Sequence, residues 1–169
     1  MGLKQIASET VTSATSSVDL IGTTTDDCYM IVVNGYIPTS DAADLRARVL
    51  ESSTPNTTAN YDRAFLAIRT DTTYSNQSNT NETYYDLTTA VGNSTGEQMN
   101  GIMYIYNAND SNEFTYITAE NSQLSHTALL IGNQGSAVFT SDSQVNGIRL
   151  YPNTGTIASG TFTLYQIEQ

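Results

Sequence analysis

An all-β, jelly-roll-like antiparallel β-sandwich is the fold the sequence predicts, and three observations predict it. Thr, Ser and Asn together make up roughly a third of the 169 residues, which favours strands and turns and leaves few good helix formers. Apolar and aromatic residues recur with period two in short runs. The clearest is Gly101–Glu120, where Ile102, Tyr104 and Tyr106 alternate with Met103 and Ile105, and Phe114, Tyr116 and Thr118 alternate with Thr115, Ile117 and Ala119. No helical pattern separates the runs, so no βαβ unit is expected.

The elements follow in order. Ile6–Val11 and Val18–Gly22 read as strands around a Ser/Thr turn. Cys28–Ile37 is a nearly continuous apolar run of the kind that suits a central strand. Its Asn34-Gly35 pair is either a tight hairpin turn or a bulge, and the short run beyond it favours the bulge. Pro38 ends the strand because it has no N–H to give the ladder. Asp44–Glu51 alternates Leu45, Ala47 and Val49 inward against Arg46 and Arg48 outward. Tyr61–Thr70 is a further strand, and Thr72–Thr83, almost without apolar residues, reads as a long surface loop. Thr83–Val91 resumes as a strand, and Gly92–Asn100 is a loop. The hairpin with its Asn107–Glu113 loop comes next. His126–Gly132, Ser136–Thr140, Gly147–Tyr151 and Gly160–Gln166 complete about ten strands, with helix limited to a turn or two.

One domain is the expectation at this length. Net charge is −11, from 17 acids against 6 bases, which argues against nucleic acid and anionic membranes as partners. A single cysteine, Cys28, excludes an internal disulfide and sits in an apolar run, as a small buried residue would. The opening residues show no apolar segment of secretory length, and no stretch is long enough to span a bilayer.

Motifs with chemical potential meet simpler explanations. Gly92–Gly96 spells GxSxG, but a nucleophile elbow needs a parallel sheet and a following helix, neither of which is expected. His126 is the sole histidine, so a multi-histidine metal site is excluded, and a strand-edge role with local hydrogen bonds is expected. Asn107–Glu113 alternates oxygen donors as a calcium loop would, yet lacks the EF-hand glycine and distal glutamate; Asx turns account for it. The acids Asp26, Asp27, Asp41 and Asp44 read as turn formers and strand caps. The five Asn-x-Ser/Thr strings, at Asn56, Asn76, Asn81, Asn93 and Asn109, reflect composition. No catalytic residue, metal or cofactor is expected.

Two sets of residues suggest contact with other molecules. Of 11 tyrosines, Tyr29, Tyr104, Tyr106 and Tyr116 lie in strand patterns and suit core or inter-subunit packing. Tyr74, Tyr84 and Tyr85 flank the polar tract and are candidates for exposed, glycan-facing rings. Four of the six bases, Arg46, Arg48, Arg63 and Arg69, fall in two strands. If those strands are neighbours, the arginines form a docking patch for an acidic partner. Otherwise Asp44, Glu51, Asp62 and Asp71 neutralise a solvated face.

The opening IASETVTSATSSVDL with DDCYMIVVNGYIP, the middle NYDRA (Asn60–Ala64) with its Asn-rich tract, and the closing IASGTFTLYQI (Ile157–Ile167) resemble small structural proteins of tailed bacteriophages, notably marine phages such as cyanophages. The resemblance is one of style and segment order, without catalytic signature. It implies a β-sandwich virion component, made in the host cytoplasm without an export signal. The expected role is a capsid decoration or cement subunit, a homotrimer bound to the major capsid protein or another virion protein. A tail-fibre or receptor-binding module recognising host glycan is the alternative. Tail fibres usually carry an N-terminal attachment region and a stalk, neither of which is expected here.

Overall fold

Two antiparallel sheets built from thirteen strands face each other in a computed structural model that describes residues 2–25 and 27–168. The strands are β1 (Gly2–Val11), β2 (Val18–Ile21), β3 (Tyr29–Pro38), β4 (Leu45–Glu51), β5 (Thr54–Pro55), β6 (Tyr61–Arg69), β7 (Tyr74–Glu82), β8 (Tyr85–Asp86), β9 (Met99–Tyr106), β10 (Thr115–Leu124), β11 (Leu130–Phe139), β12 (Gly147–Pro152) and β13 (Ile157–Glu168). The larger sheet runs β1-β13-β3-β9-β10-β11-β6-β7. The smaller runs β2-β12-β4-β5, with β8 also on β4. Among the described residues there is no helix, so the predicted all-β sandwich stands. Asp26 lies outside the described residues.

Alternation places the core. In β3, Tyr29, Ile31 and Val33 are buried while Met30 and Val32 are half-buried on the opposite face; in β4, Leu45, Ala47 and Val49 point inward against Arg46 and Arg48. Burying these apolar side chains between the sheets is the main favourable term in folding. Tyr61 ties the layers together: its ring packs 5.0 Å from Phe139 and 6.1 Å from Tyr85, and its hydroxyl accepts from Val49 N at 3.2 Å and donates to Asn56 O at 2.9 Å. A phenol buried this deeply needs such partners, and burial holds its ionisation above the ordinary tyrosine range.

Several expectations hold. The Gly101–Glu120 hairpin is β9 and β10, with Tyr116 opposite Tyr106 and Thr118 opposite Tyr104. Asn34-Gly35 is a bulge: the ladder of β3 with β9 shifts register between Val33 and Tyr36, Gly35 takes a φ of 68°, and its N–H donates to Asn100 Oδ1 at 2.8 Å. Asp110 caps Asn112 N at 2.7 Å, the Asx turn expected in the hairpin loop.

Others require correction. Thr72–Thr83 is not a loop but contains β7, because the exposed edge of β6 has ladder groups to satisfy and the chain folds straight back onto it. The expected strand Thr83–Val91 shrinks to β8, with Leu87 N still donating to Leu45 O. His126–Gly132 and Ser136–Thr140 merge into β11, and His126 lies exposed in the preceding turn rather than on a strand edge. Cys28 is half-buried, not part of the core.

The turn into β7 is fastened by Asp71. Its carboxylate accepts from the Thr73 hydroxyl at 2.6 Å and from Thr73 N at 3.0 Å. These bonds, the hydroxyl's first, hold the Asp71 carboxyl below its ordinary range. A depressed acid adds stability that is present at neutral pH and is lost as pH falls through its folded-state pKa. NMR titration of the side-chain carboxyl carbons is therefore expected to place Asp71 among the more acidic aspartates. Thr73→Ala is expected to move it back up; an unchanged midpoint would refute the assignment.

Candidate docking surfaces

The four arginines do not share one sheet. Arg46 and Arg48 stand on the outer face of β4 in the smaller sheet, whereas β6, carrying Arg63 and Arg69, belongs to the larger sheet beside β11 and β7. The condition for a shared docking patch, that the two strands neighbour each other, is therefore not met. Even so, Arg46 and Arg63 meet, through a residue the sequence reading passed over. Asp86 on β8 accepts from Arg46 Nε at 2.7 Å and pairs with Arg63 Nη2 at 2.8 Å. The Arg63 side chain is only 7% exposed and that of Asp86 10%. Arg69 is six residues along β6 from Arg63, about 20 Å away, and takes no part.

The geometry makes this cluster structural. Arg46 lies 3.7 Å over the Tyr84 ring, Arg48 stacks 5.0 Å over Tyr151 and donates from Nε to Thr83 O at 2.8 Å, and Arg149 forks onto Asp19 through two 2.6 Å bonds. The hydrogen bond and charge of Asp86 hold the Arg46 guanidinium protonated against partial burial. Asp44, Glu51, Asp62 and Asp71, expected as counter-charges, bond elsewhere, to Ala90 N, to Asn56 and Ser143, to Asn81 N and to Thr73 respectively. Arg46 and Arg63 share the one carboxylate of Asp86, while Arg48 and Arg69 have no carboxylate partner among the described residues. The patch anticipated at Arg46, Arg48, Arg63 and Arg69 is thus dispersed, and two of its members are tied to Asp86.

The tyrosine candidates divide three ways. Tyr74 is 72% exposed, Tyr84 is half-buried beneath Arg46, and Tyr85 is 2% exposed in the core with its hydroxyl against Met103 Sδ. Tyr85 is therefore no solvent-facing ring; it pairs opposite Ala47, which points inward.

A broader surface lies on the outer face of the larger sheet. The register aligns Tyr165, Met30, Tyr104 and Thr118 in one row, Thr163, Val32, Ile102, Glu120, Gln134 and Leu66 in the next, and Tyr106 with Tyr116 and Val138 at one end. Shallow grooves run beside Glu120, lined by Ile102, Tyr104 and Thr118 on one side and by Ile68, Asn100 and Gly132 on the other. Among the described strand residues this face carries two acids, Glu120 and Asp62, and no base, on a chain of net charge −11. Asp62 already accepts from Asn81 N. Aromatic enrichment with charge depletion is the compositional mark of an interface core. The hairpin periodicity had placed Tyr104, Tyr106 and Tyr116 in packing, core or inter-subunit. What it lacked was the count of strands beyond the hairpin that extend the same face.

No protein-family model, curated protein or solved structure matches the chain. The site stands on its geometry alone. Groups of three or more metal-ligating side chains are absent among the described residues. The GxSxG string forms a loop in which Ser94 N donates to Glu97 Oε2 at 2.8 Å, with no helix after it.

Proposed function

We propose that the protein is a structural component of a bacteriophage particle, a decoration subunit that lies on the outer head surface and contacts the major capsid protein. The observation that carries the reading is the charge-poor aromatic face of the eight-stranded sheet, centred on Tyr104, Tyr116 and Ile102. On an acidic molecule, the face where charge is thin meets the least repulsion from an assembly of like sign. A broad, nearly flat sheet face suits a subunit laid across neighbouring shell proteins. Binding the assembled lattice and not the free subunits stabilises the lattice by mass action.

The second reading, a tail-fibre or receptor-binding module for host glycan, rests on Tyr74, whose ring stands free beside Asn76 and Ser78 on β7. Tyr84 and Tyr85 no longer support it.

Particles stripped of the protein and reconstituted with it separate the two. Reconstitution is expected to restore heat resistance, and Tyr104→Glu/Tyr116→Glu is expected to weaken particle binding by about 30-fold, the cost of losing a hot spot. Equal heat resistance with and without the protein, or its location on the tail with binding to host cells, would sink the decoration reading.

A further inference from the structure

A sheet edge is a row of backbone donors and acceptors without partners, and proteins usually blunt it. Three of the four edges here are blunted. β1 carries Lys4 and Glu9 and a bulge between Gln5 and Ala7; β2 is four residues long with Asp19 bonded to Arg149; β5 and β8 are two residues each. The fourth, β7, is blunted only at its far end, where a bulge follows Asn79 and Asn81 takes a φ of 57°. It is nine residues long, has no proline, and carries no charge from Tyr74 to Asn81. Its pairing with β6 runs without interruption from Tyr74 to Asn79. At its start Ile68 and Tyr74, directly opposite each other, are 58% and 72% exposed.

We infer that β7 pairs antiparallel with β7 of a second copy of this chain, joining the two eight-stranded sheets into one. The strand is self-complementary. With Gln77 on the two-fold axis, Asn76 falls opposite Ser78, Ser75 opposite Asn79 and Tyr74 opposite Thr80 of the other copy, so amides and hydroxyls meet and like charges never do. Glu82, the one acid on the strand, lies past the bulge and outside the paired core. An acidic chain meets its own copy with least repulsion at an uncharged edge, and β7 is such an edge. Pairing satisfies the free backbone row and brings a second copy against the exposed Ile68–Tyr74 corner. The contact is isologous and closes as a dimer, which replaces the three-fold arrangement expected from sequence. It is independent of the virion reading, since it concerns an edge and not the aromatic face.

Sedimentation velocity over a wide range of protein concentration tests it. The wild-type chain is expected to reach twice the monomer mass. Asn76→Lys/Ser78→Lys sets lysines opposite lysines and is expected to weaken the dimer by about tenfold or more, with circular dichroism and melting temperature unchanged. Hydrogen exchange of β7 amides is expected to slow as concentration rises in the wild type and not in the variant. A monomer at every concentration, a trimer, or a dimer indifferent to both lysines would overturn the proposal.

Discussion

Asp86→Ala is expected to destabilise the protein by about 3–5 kcal/mol, the range for removing one partner of a buried ion pair, and to lower its melting temperature by about 10 °C. The reason is Arg63. Its guanidinium is enclosed between β6 and β8, 4.9 Å from the Phe65 ring, and Asp86 is its one ionic partner among the described residues. Nε and Nη1 of Arg63 are buried and have no hydrogen-bond partner among the described residues. A cavity of about 20 Å³, lined by Arg63, Phe65, Leu87, Ile117 and Asn133, adjoins them, with room for about one water. Without the carboxylate, a charge remains where neither protein nor bulk water can solvate it. Arg46 suffers less, since it is more exposed and keeps the Tyr84 ring. Arg63→Met in the Asp86→Ala background is expected to recover most of the loss, because an apolar side chain fits those walls. Thermal melts of both variants decide the matter: failure of the second change to rescue would mean that Asp86 acts chiefly through Arg46.

Tyr61→Ala is expected to cost as much, about 3–5 kcal/mol, as removal of a fully buried aromatic usually does. Tyr61 is the point where β6, β4 and β8 come together, and its loss opens a void beside Phe139 and Tyr85. Tyr61→Phe separates the ring from the hydroxyl. It leaves Val49 N and Asn56 O without their side-chain partner and is expected to cost about 1–2 kcal/mol. Urea melts would show the two losses as a large and a small shift in midpoint with similar slopes. Equal losses would mean that the hydroxyl, not the ring, holds the layers.

How much of this was legible beforehand depended on period. Where apolar and polar residues alternate, as in Leu45–Glu51 and Ile102–Thr118, the strands and their inward faces could be read directly. β7 could not, because Ser, Asn, Gln and Thr on both faces of an edge strand give no contrast to count. β8 failed for the opposite reason. Tyr84, Tyr85 and Leu87 look like a strand, but only Tyr85 and Asp86 form a ladder with β4, and Leu87 adds a single bond to Leu45 O. The arginines illustrate the remaining gap. Parity placed Arg46 and Arg48 outward correctly, but parity within a strand says nothing of which sheet the strand joins. The meeting of Arg46 with Arg63 at Asp86 depends on β8 of the smaller sheet packing against β6 of the larger one. The outer aromatic face was half legible: the hairpin supplied its centre, and β3, β13 and β11 supplied its breadth.

The order β1-β13-β3 sets a schedule for assembly. β1 and β3 leave between them a gap one strand wide, and Ile157–Glu168 is the segment that fills it, opposite Gly2–Val11 on one side and Tyr29–Pro38 on the other. A chain emerging from the ribosome therefore holds β1 and β3 apart until Ile157–Glu168 has been made. Such distant pairing is slow, and the waiting edges are adhesive. Until Ile157–Glu168 arrives, the facing edges of β1 and β3 stand open to any other strand that reaches them.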